Sequence, residues 1–259
     1  MLNPLVRKLE NFAWLSDDDR RALETATRQV RAYRPREDII QEGDHPEGVK
    51  LLLDGWACRC KQLEDGRRQI MAFFVPGDLC DVRVFILRQM DHSIATLTPA
   101  TVATIPRDTM LELMEHHPCI TQALWWATLV DEAVLREWVV NLGQRSADER
   151  LAHLLCELFI RLQAVGLTRG NSCELPVTQG ELADTLGLTT VHVNRTLQEL
   201  RRDGLVDLRG KTLTLCDLDG LQRLALFNPN YLHLEHEGEG LNANHRPPDA
   251  PGGATSPLP

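Results

Sequence analysis

The stretch TQGELADTLGLTTVHVNRTLQELRRDGLV, residues 178–206, is the most informative part of this sequence. It predicts two short helices joined by a turn at Gly187, a residue suited to the left-handed conformation that ends a helix. Thr178 and Glu181 have the spacing of a capping box at the start of the first helix. Each helix has a buried side formed by apolar residues three and four positions apart. These residues are Leu182, Ala183 and Leu186, then Val193, Leu197 and Leu200.

The second helix presents a polar outward face. Thr189 or Thr190 caps it, and a small hairpin follows over residues 205–215, turning at Gly210 and Lys211. Side chains of this kind reach base edges in the major groove, so the pattern predicts a DNA-binding helix-turn-helix with a wing. The alternative is an ordinary helical hairpin with a solvated face. The outward residues are His192, Asn194, Arg195, Gln198 and Arg202.

The overall charge of the chain does not oppose DNA binding. The 259 residues carry a formal net charge of -9, whereas residues 189–202 hold three Arg and one Glu. Binding needs only a locally basic face. The segment 235–259 is rich in Pro, Gly and polar residues, and we expect a disordered tail there.

Residues 28–107 have the pattern of short antiparallel strands. Glycine turns recur at Gly43, Gly55, Gly66 and Gly77, which is typical of a sandwich or barrel. Residues 56–74 predict a hairpin with its tight turn at Asp65-Gly66. No helical segment lies between these strands, so the pattern disfavours a parallel, βαβ-type sheet.

Residues 119–142 predict a long helix with no internal Gly or Pro. An apolar stripe runs along it, and we expect a second copy of the chain to pack against this stripe as in a coiled coil. The alternative is a helix buried within one domain. The stripe consists of Ala123, Ala127, Val130, Val134 and Trp138.

The order of a strand-rich domain, a long helix and a winged helix-turn-helix resembles the Crp-Fnr family of bacterial transcription regulators, in particular its alpha-proteobacterial subgroup. The motifs that carry the resemblance are IIQEGD, LLLDGW, RSADERLAHLLCEL and the stretch quoted above, within roughly residues 10–227. The resemblance implies an α+β fold. A cyclic-nucleotide-binding-type β jelly roll with N-terminal helices covers residues 1–118, a dimerisation helix residues 119–143, and the winged helix-turn-helix residues 144–234. It also implies a homodimer on a palindromic double-stranded DNA operator, with RNA polymerase as a further candidate partner.

The resemblance also assigns DNA contacts residue by residue. In the family, a variable residue, a Glu beside it and an Arg four positions later read bases, and these positions match Thr190, Val191 and Arg195. Val191 departs from the pattern because it cannot accept a hydrogen bond from cytosine, so we expect an altered half-site at that base. The full candidate set is Thr178, Thr189, Thr190, Val191, His192, Asn194, Arg195, Gln198, Arg202 and Lys211.

The effector pocket implied by the resemblance has lost its usual charges. Family members that bind cyclic nucleotides have Gly-Glu and Arg-Ser pairs, and the matching pairs here are Gly77-Asp78 and His92-Ser93. Asp is shorter than Glu, and His lacks the bidentate fork of Arg. Arg83 and Arg88 do not stand at the matching place. In family members that bind cyclic AMP, polar residues on the long helix contact adenine, and the matching positions here are Leu135 and Arg136. Together these changes lead us to expect no cyclic AMP binding. The effector is left unknown.

Other functions leave no motif in the sequence. There is no Walker loop, GxSxG, HExxH or metal-spaced Cys/His cluster, so we expect neither an enzyme nor a metal or other cofactor. The seven cysteines are scattered, and Cys58 and Cys60 form a candidate thiol pair on one strand face. No apolar run reaches the roughly 20 residues of a membrane span, and we expect a cytoplasmic protein. A ligand-binding module that acts through protein contacts remains the alternative to DNA binding.

Overall fold

The computed structural model describes residues 3–82 and 86–234. Arg83 and the predicted disordered tail, residues 235–259, lie outside the described residues. The chain begins with two helices, α1 (Pro4–Leu9) and α2 (Asp17–Ala26). The Asn3 side chain caps α1, and Ser16 and Asp19 form a capping box at the start of α2.

The predicted jelly roll consists of two four-stranded antiparallel sheets. One sheet has the order β1-β8-β3-β6 and the other the order β2-β7-β4-β5. The predicted hairpin is β4–β5, with Gly66 at φ +86° in its turn. The strands are β1 (Val30–Tyr33), β2 (Asp38–Ile40), β3 (Gly48–Asp54), β4 (Ala57–Gln62), β5 (Arg68–Phe74), β6 (Leu79–Cys80), β7 (Ser93–Thr96) and β8 (Ala100–Pro106).

Two helices follow the roll, α3 (Arg107–His116) and α4 (Pro118–Gln144). The structure corrects the expected dimer stripe on α4. Its five side chains are buried within their own chain, each no more than 9% exposed. α4 packs on β5, α1 and the following helix, so its most apolar stripe covers the chain's own core. These residues are Ala123, Ala127, Val130, Val134 and Trp138.

The C-terminal part is the predicted winged helix-turn-helix with additions that the sequence did not indicate. The missed elements are the helix α8 and the strands β9 and β10. The two strands join the wing in a four-stranded sheet of order β11-β12-β10-β9. A short 3₁₀ helix at Pro229–Leu232 follows. The elements are α5 (Ala147–Ala164), β9 (Thr168–Arg169), β10 (Ser172–Glu174), α6 (Gln179–Leu186), α7 (Thr190–Arg202), β11 (Val206–Arg209), β12 (Thr212–Leu215) and α8 (Leu218–Ala225).

A buried junction ties the long helix to both halves of the molecule. Trp138 meets Phe73 of the roll edge-on, with ring centroids 6.1 Å apart, and its indole N–H donates to Glu157 of α5 at 2.9 Å. The hydroxyl of Tyr231 donates to the same carboxylate oxygen at 2.9 Å. These contacts explain why Trp138 is unavailable to a second chain.

Candidate functional site

The helix-turn-helix is held by local interactions that the sequence specifies. The Thr178 hydroxyl accepts from the Glu181 N–H and the Glu181 carboxylate accepts from the Thr178 N–H, so the capping box is complete. Gly187 ends α6 at φ +64°, a conformation that costs a side-chain-bearing residue about 1 kcal/mol or more. Thr189, not Thr190, caps α7 by accepting from the His192 N–H.

The outward face of α7 is open to solvent. Val191 is 78% exposed, and the Asn194 amide donates to Gln179 of α6 at 3.2 Å. The inner face packs into the core, as the spacing predicts. Over residues 3–82 and 86–234, no hydrogen bond or ion pair engages the side chain of Arg195. This guanidinium is therefore not committed to another contact within the fold.

Other basic side chains near α7 differ in whether an acidic group lies beside them. Arg201 pairs with Asp207 of the wing at 3.3 Å, and Arg202 lies 3.9 Å from Glu199. Lys211 lies at the tip of the wing, next to Gly210, whose φ is +61°. The Lys211 side chain contacts no acidic group in the described part of the chain. The wing tip and the α7 face thus offer cations to an anionic ligand.

The first helix of the motif is docked on the sensor roll. Arg68 of β5 pairs with Asp184 of α6 at 2.8 Å, and the Gln69 amide donates to the Thr185 carbonyl at 3.0 Å. A cleft of about 780 Å³ lies beside this contact. The candidate DNA residues Thr178, Thr189 and Thr190 line one wall, and sensor residues including Asp38 line the other.

In the sensor domain, Asp78 is engaged by its own chain. Its Oδ1 pairs with the Lys8 ammonium at 2.7 Å, and its Oδ2 accepts from Arg161 at 2.9 Å and from the Val75 N–H at 2.7 Å. Burial alone raises the pKa of the Asp78 carboxyl, but Lys8 and Arg161 hold the pKa below its usual value. Gly77 is packed tightly, since an added Cβ would stand 2.7 Å from the Pro4 carbonyl oxygen.

His92 lies in an acidic setting rather than at a basic phosphate site. Its Nδ1 contacts Asp91 at 2.7 Å and its Nε2 contacts Asp81 at 2.9 Å. Burial lowers the pKa of His92, but the hydrogen bond with Asp81 and the Asp81 charge raise it above the ordinary value overall. Arg59 pairs with Asp81 in turn, and its guanidinium lies 5.1 Å from the Phe74 ring centroid.

The structure does not assemble the five expected effector residues into one pocket. Asp78 is turned toward Lys8 and Arg161, His92 lies between two carboxylates, and the Ser93 hydroxyl accepts from the Glu42 N–H at 2.9 Å. Arg136 is exposed on α4 and lies 3.5 Å from Glu132. Sequence position alone did not show these internal partners. The five residues are Gly77, Asp78, His92, Ser93 and Arg136.

Two family models match most of this architecture. A cyclic nucleotide-binding domain matches residues 30–117, and a Crp-like helix-turn-helix domain matches residues 149–224. The transcriptional activator protein FnrL of Cereibacter sphaeroides is 33% identical over 188 residues, which are 70% of this chain and 73% of FnrL. The chain belongs to the Crp-Fnr family of transcriptional regulators.

Other members of the Crp-Fnr family agree in sequence and fold. The transcriptional activatory protein AadR of Rhodopseudomonas palustris is 30% identical, covering 78% of this chain and 82% of AadR. The solved structure of FixK2 from Bradyrhizobium japonicum superposes with a TM-score of 0.68 at 26% identity, covering 76% of this chain and 96% of FixK2. The expected α+β fold, family and DNA-binding function are thereby confirmed. The family consists of DNA-binding transcriptional regulators rather than enzymes.

The described residues of this Crp-Fnr regulator form neither a membrane span nor a metal cluster. In the described ranges no helix is both long and apolar enough to cross a bilayer. Within the same ranges no three His, Cys, Asp or Glu side chains are grouped to hold a metal ion. The functional residues that sequence reasoning missed are Lys8, Arg59 and Arg161, which meet their carboxylate partners across 70, 22 and 83 positions of chain. No local motif signals such distant partners.

Proposed function

We propose that this Crp-Fnr regulator binds a palindromic operator as a homodimer, with α7 of each subunit in the major groove. The observation that carries the proposal is the exposed α7 face, on which Arg195 has no other partner in the described part of the chain. An Arg fork bonding guanine O6 and N7 is the commonest specific contact between protein and DNA. Lys211 on the wing contacts phosphate, and Val191 meets a thymine methyl. Because FnrL and AadR are named as activators, the proposal includes activation and contact with RNA polymerase.

The dimer forms through the side of α4 opposite the buried stripe. Leu129 and Val139 are 53% and 65% exposed, and Glu132 and Arg136 lie between them at spacings of three and four. This exposed α4 face also includes Leu135 and Val140 at its flank. The face carries both signs of charge, so two copies meet without net repulsion. A two-fold axis along α4 then presents both α7 helices to one DNA duplex.

The experiment that tests DNA binding is a titration of the purified chain with duplex DNA at two salt concentrations. Phosphate contacts release counterions, so binding weakens steeply between about 50 and 200 mM salt. A preference for one sequence that survives the higher salt supports base recognition by α7. Equal binding of all duplexes, or binding without salt dependence, contradicts the proposal and favours a protein-interaction module.

We also propose that the sensor domain does not bind cyclic AMP. Lys8, Arg161 and the Val75 N–H occupy three of the roughly four acceptor positions of the Asp78 carboxylate, and Asp78 is buried, so this carboxylate is not presented to a ribose hydroxyl. Asp81 and Asp91 flank His92 and repel a cyclic phosphate. Calorimetry with cyclic AMP at pH 7.5 is expected to show no heat of binding. Micromolar affinity would contradict this part of the proposal.

A further inference from the structure

Two thiols lie side by side next to the cleft between the sensor roll and the helix-turn-helix. Cys58 and Cys60 point to the same face of β4, and their register partners on β7 are Ala95 and Ser93. Cys60, Ser93 and Ala95 all line the cleft. Cys58 is fully buried and Cys60 is 7% exposed, so a small molecule in the cleft reaches Cys60 first.

A direct bond between the two thiols needs a small movement of the strand. Positions two apart on a strand are separated by roughly 6.6 Å, near the upper end of the Cα distances that a disulfide spans. The β4–β5 register is irregular between Arg59 and Cys60, which bends this part of the hairpin.

The charges around the pair favour a thiolate at Cys60. The neighbouring Cys58 thiol and the nearby Arg68 guanidinium lower the pKa of Cys60, against the effects of burial and of Asp38. His92 also faces the pair and lowers this pKa. The neighbouring Cys60 thiol and burial raise the pKa of Cys58. Because Cys60 lines the cleft and Cys58 is fully buried, Cys60 attacks and Cys58 keeps its proton.

We propose that Cys60 and Cys58 form a peroxide-reactive dithiol site at the sensor–helix-turn-helix cleft. The Cys60 thiolate attacks one peroxide oxygen, the O–O bond breaks, and the departing hydroxide is protonated to water, which leaves a sulfenic acid on Cys60. The Cys58 sulfur then attacks the Cys60 sulfur. An S–S bond forms, the S–O bond breaks, and hydroxide leaves with the Cys58 proton as a second water. Two electrons from the thiol pair thus reduce one hydrogen peroxide to two waters.

The site adjoins the contact that docks the DNA-binding motif. Arg68 faces both thiols and holds Asp184 of α6 at 2.8 Å. Loss of the Cys60 thiolate on oxidation removes a negative charge beside this ion pair. A redox event in the roll therefore changes the electrostatics at the first helix of the helix-turn-helix.

The exposed cysteine at position 216 provides a matched control for reactivity. The wild-type chain is labelled with a limiting amount of iodoacetamide at pH 7, and the labelled positions are read by mass spectrometry. Because the thiolate is the reacting form, Cys60 is expected to label about fivefold faster than Cys216 despite its burial. The variant Cys58→Ser, which removes the thiol partner, is expected to slow the labelling of Cys60.

Hydrogen peroxide then tests for the bond itself. Trypsin cleaves after Arg59, so a disulfide joins two otherwise separate peptides, and a thiol reductant releases them. The linked species is expected in the wild type and in Cys216→Ser, and is expected to be lost in Cys60→Ser. Labelling of Cys60 no faster than of Cys216, or peroxide oxidation confined to Cys216, overturns the proposal. Both decisive readouts use the wild-type chain, so they do not depend on the folding of a variant.

Discussion

At the scale of single residues, Arg195 is the side chain on which base recognition rests. Arg195→Ala is expected to cost about 1–3 kcal/mol of operator binding and to relax selection at one guanine, because the bidentate contact is lost. Lys211→Ala removes a phosphate contact, so it weakens all sequences alike and lowers the salt slope by about one. Fluorescence anisotropy on matched and single-base-changed duplexes separates the two effects. Arg201→Ala is the control, since Arg201 pairs with Asp207. Unchanged selectivity in Arg195→Ala would exclude Arg195 from base recognition.

Asp78 joins the roll to α1 and α5 through its pairs with Lys8 and Arg161. Asp78→Asn leaves Lys8 and Arg161 without their shared counter-charge, and a cost of about 3 kcal/mol in the free energy of unfolding is expected. The pKa of Asp78 is lower in the folded than in the unfolded chain. Its contribution to the free energy of unfolding is therefore complete above the unfolded pKa. The contribution is lost as the pH falls through the folded pKa.

Urea unfolding at pH 7 and at about pH 2.5, well below the unfolded pKa of 3.8, measures this dependence. The stability difference between wild type and Asp78→Asn is expected to shrink at the lower pH, and comparing the two proteins cancels the titration of other groups. The control is Asp65→Asn, because Asp65 forms an exposed pair with Arg67 that contributes at most about 1 kcal/mol. A difference independent of pH would show that the Asp78 charge is not what stabilises the junction.

At the scale of elements, the two sides of α4 have opposite roles. Leu129→Glu together with Val139→Glu is expected to give folded monomers with weakened operator binding, because both side chains are exposed. Val130→Glu together with Val134→Glu places two carboxylates in the core and is expected to unfold the chain instead. Analytical ultracentrifugation and circular dichroism distinguish the outcomes. Dimers that persist in the first variant would place the contact elsewhere.

The sequence predicts local elements well and the partner of a helix face poorly. The capping box at Thr178, the left-handed Gly187 and the Asp65-Gly66 turn each depend on residues within a few positions, so spacing alone reveals them. The α4 stripe is different. Its periodicity shows that one side is apolar, but an apolar side packs equally well on a second chain or on the chain's own roll. Only the tertiary structure shows that Trp138 meets Phe73.

At the scale of the whole molecule, the sensor and the DNA-binding motif are joined by a few polar contacts. Arg68→Ala removes the ion pair to Asp184, which is about one-third exposed on both sides and contributes at most about 1 kcal/mol. Faster amide hydrogen exchange in α6 is expected, with little change in melting temperature. Arg67→Ala is the matched control, because Arg67 pairs with Asp65 inside the hairpin. Equal exchange in both variants would show that Arg68 does not dock α6.

The candidate sensor site was the least predictable part of the molecule. Matching Gly77-Asp78 to a family motif indicated a change in charge, but Lys8 and Arg161 lie 70 and 83 positions away in the chain. Their convergence on one buried carboxylate follows from how α1, the roll and α5 pack together. A single sequence carries no local signal of that packing.

The most direct test of the central claim is the selection of bound duplexes from a random DNA library by the wild-type chain. Enrichment of a two-fold symmetric sequence is expected, with half-sites one helical turn, roughly 34 Å, apart. A guanine opposite Arg195 is expected in each half-site, with an altered base facing Val191. A library that stays random, or an enriched sequence without two-fold symmetry, would contradict the claim that a dimer reads its operator through α7.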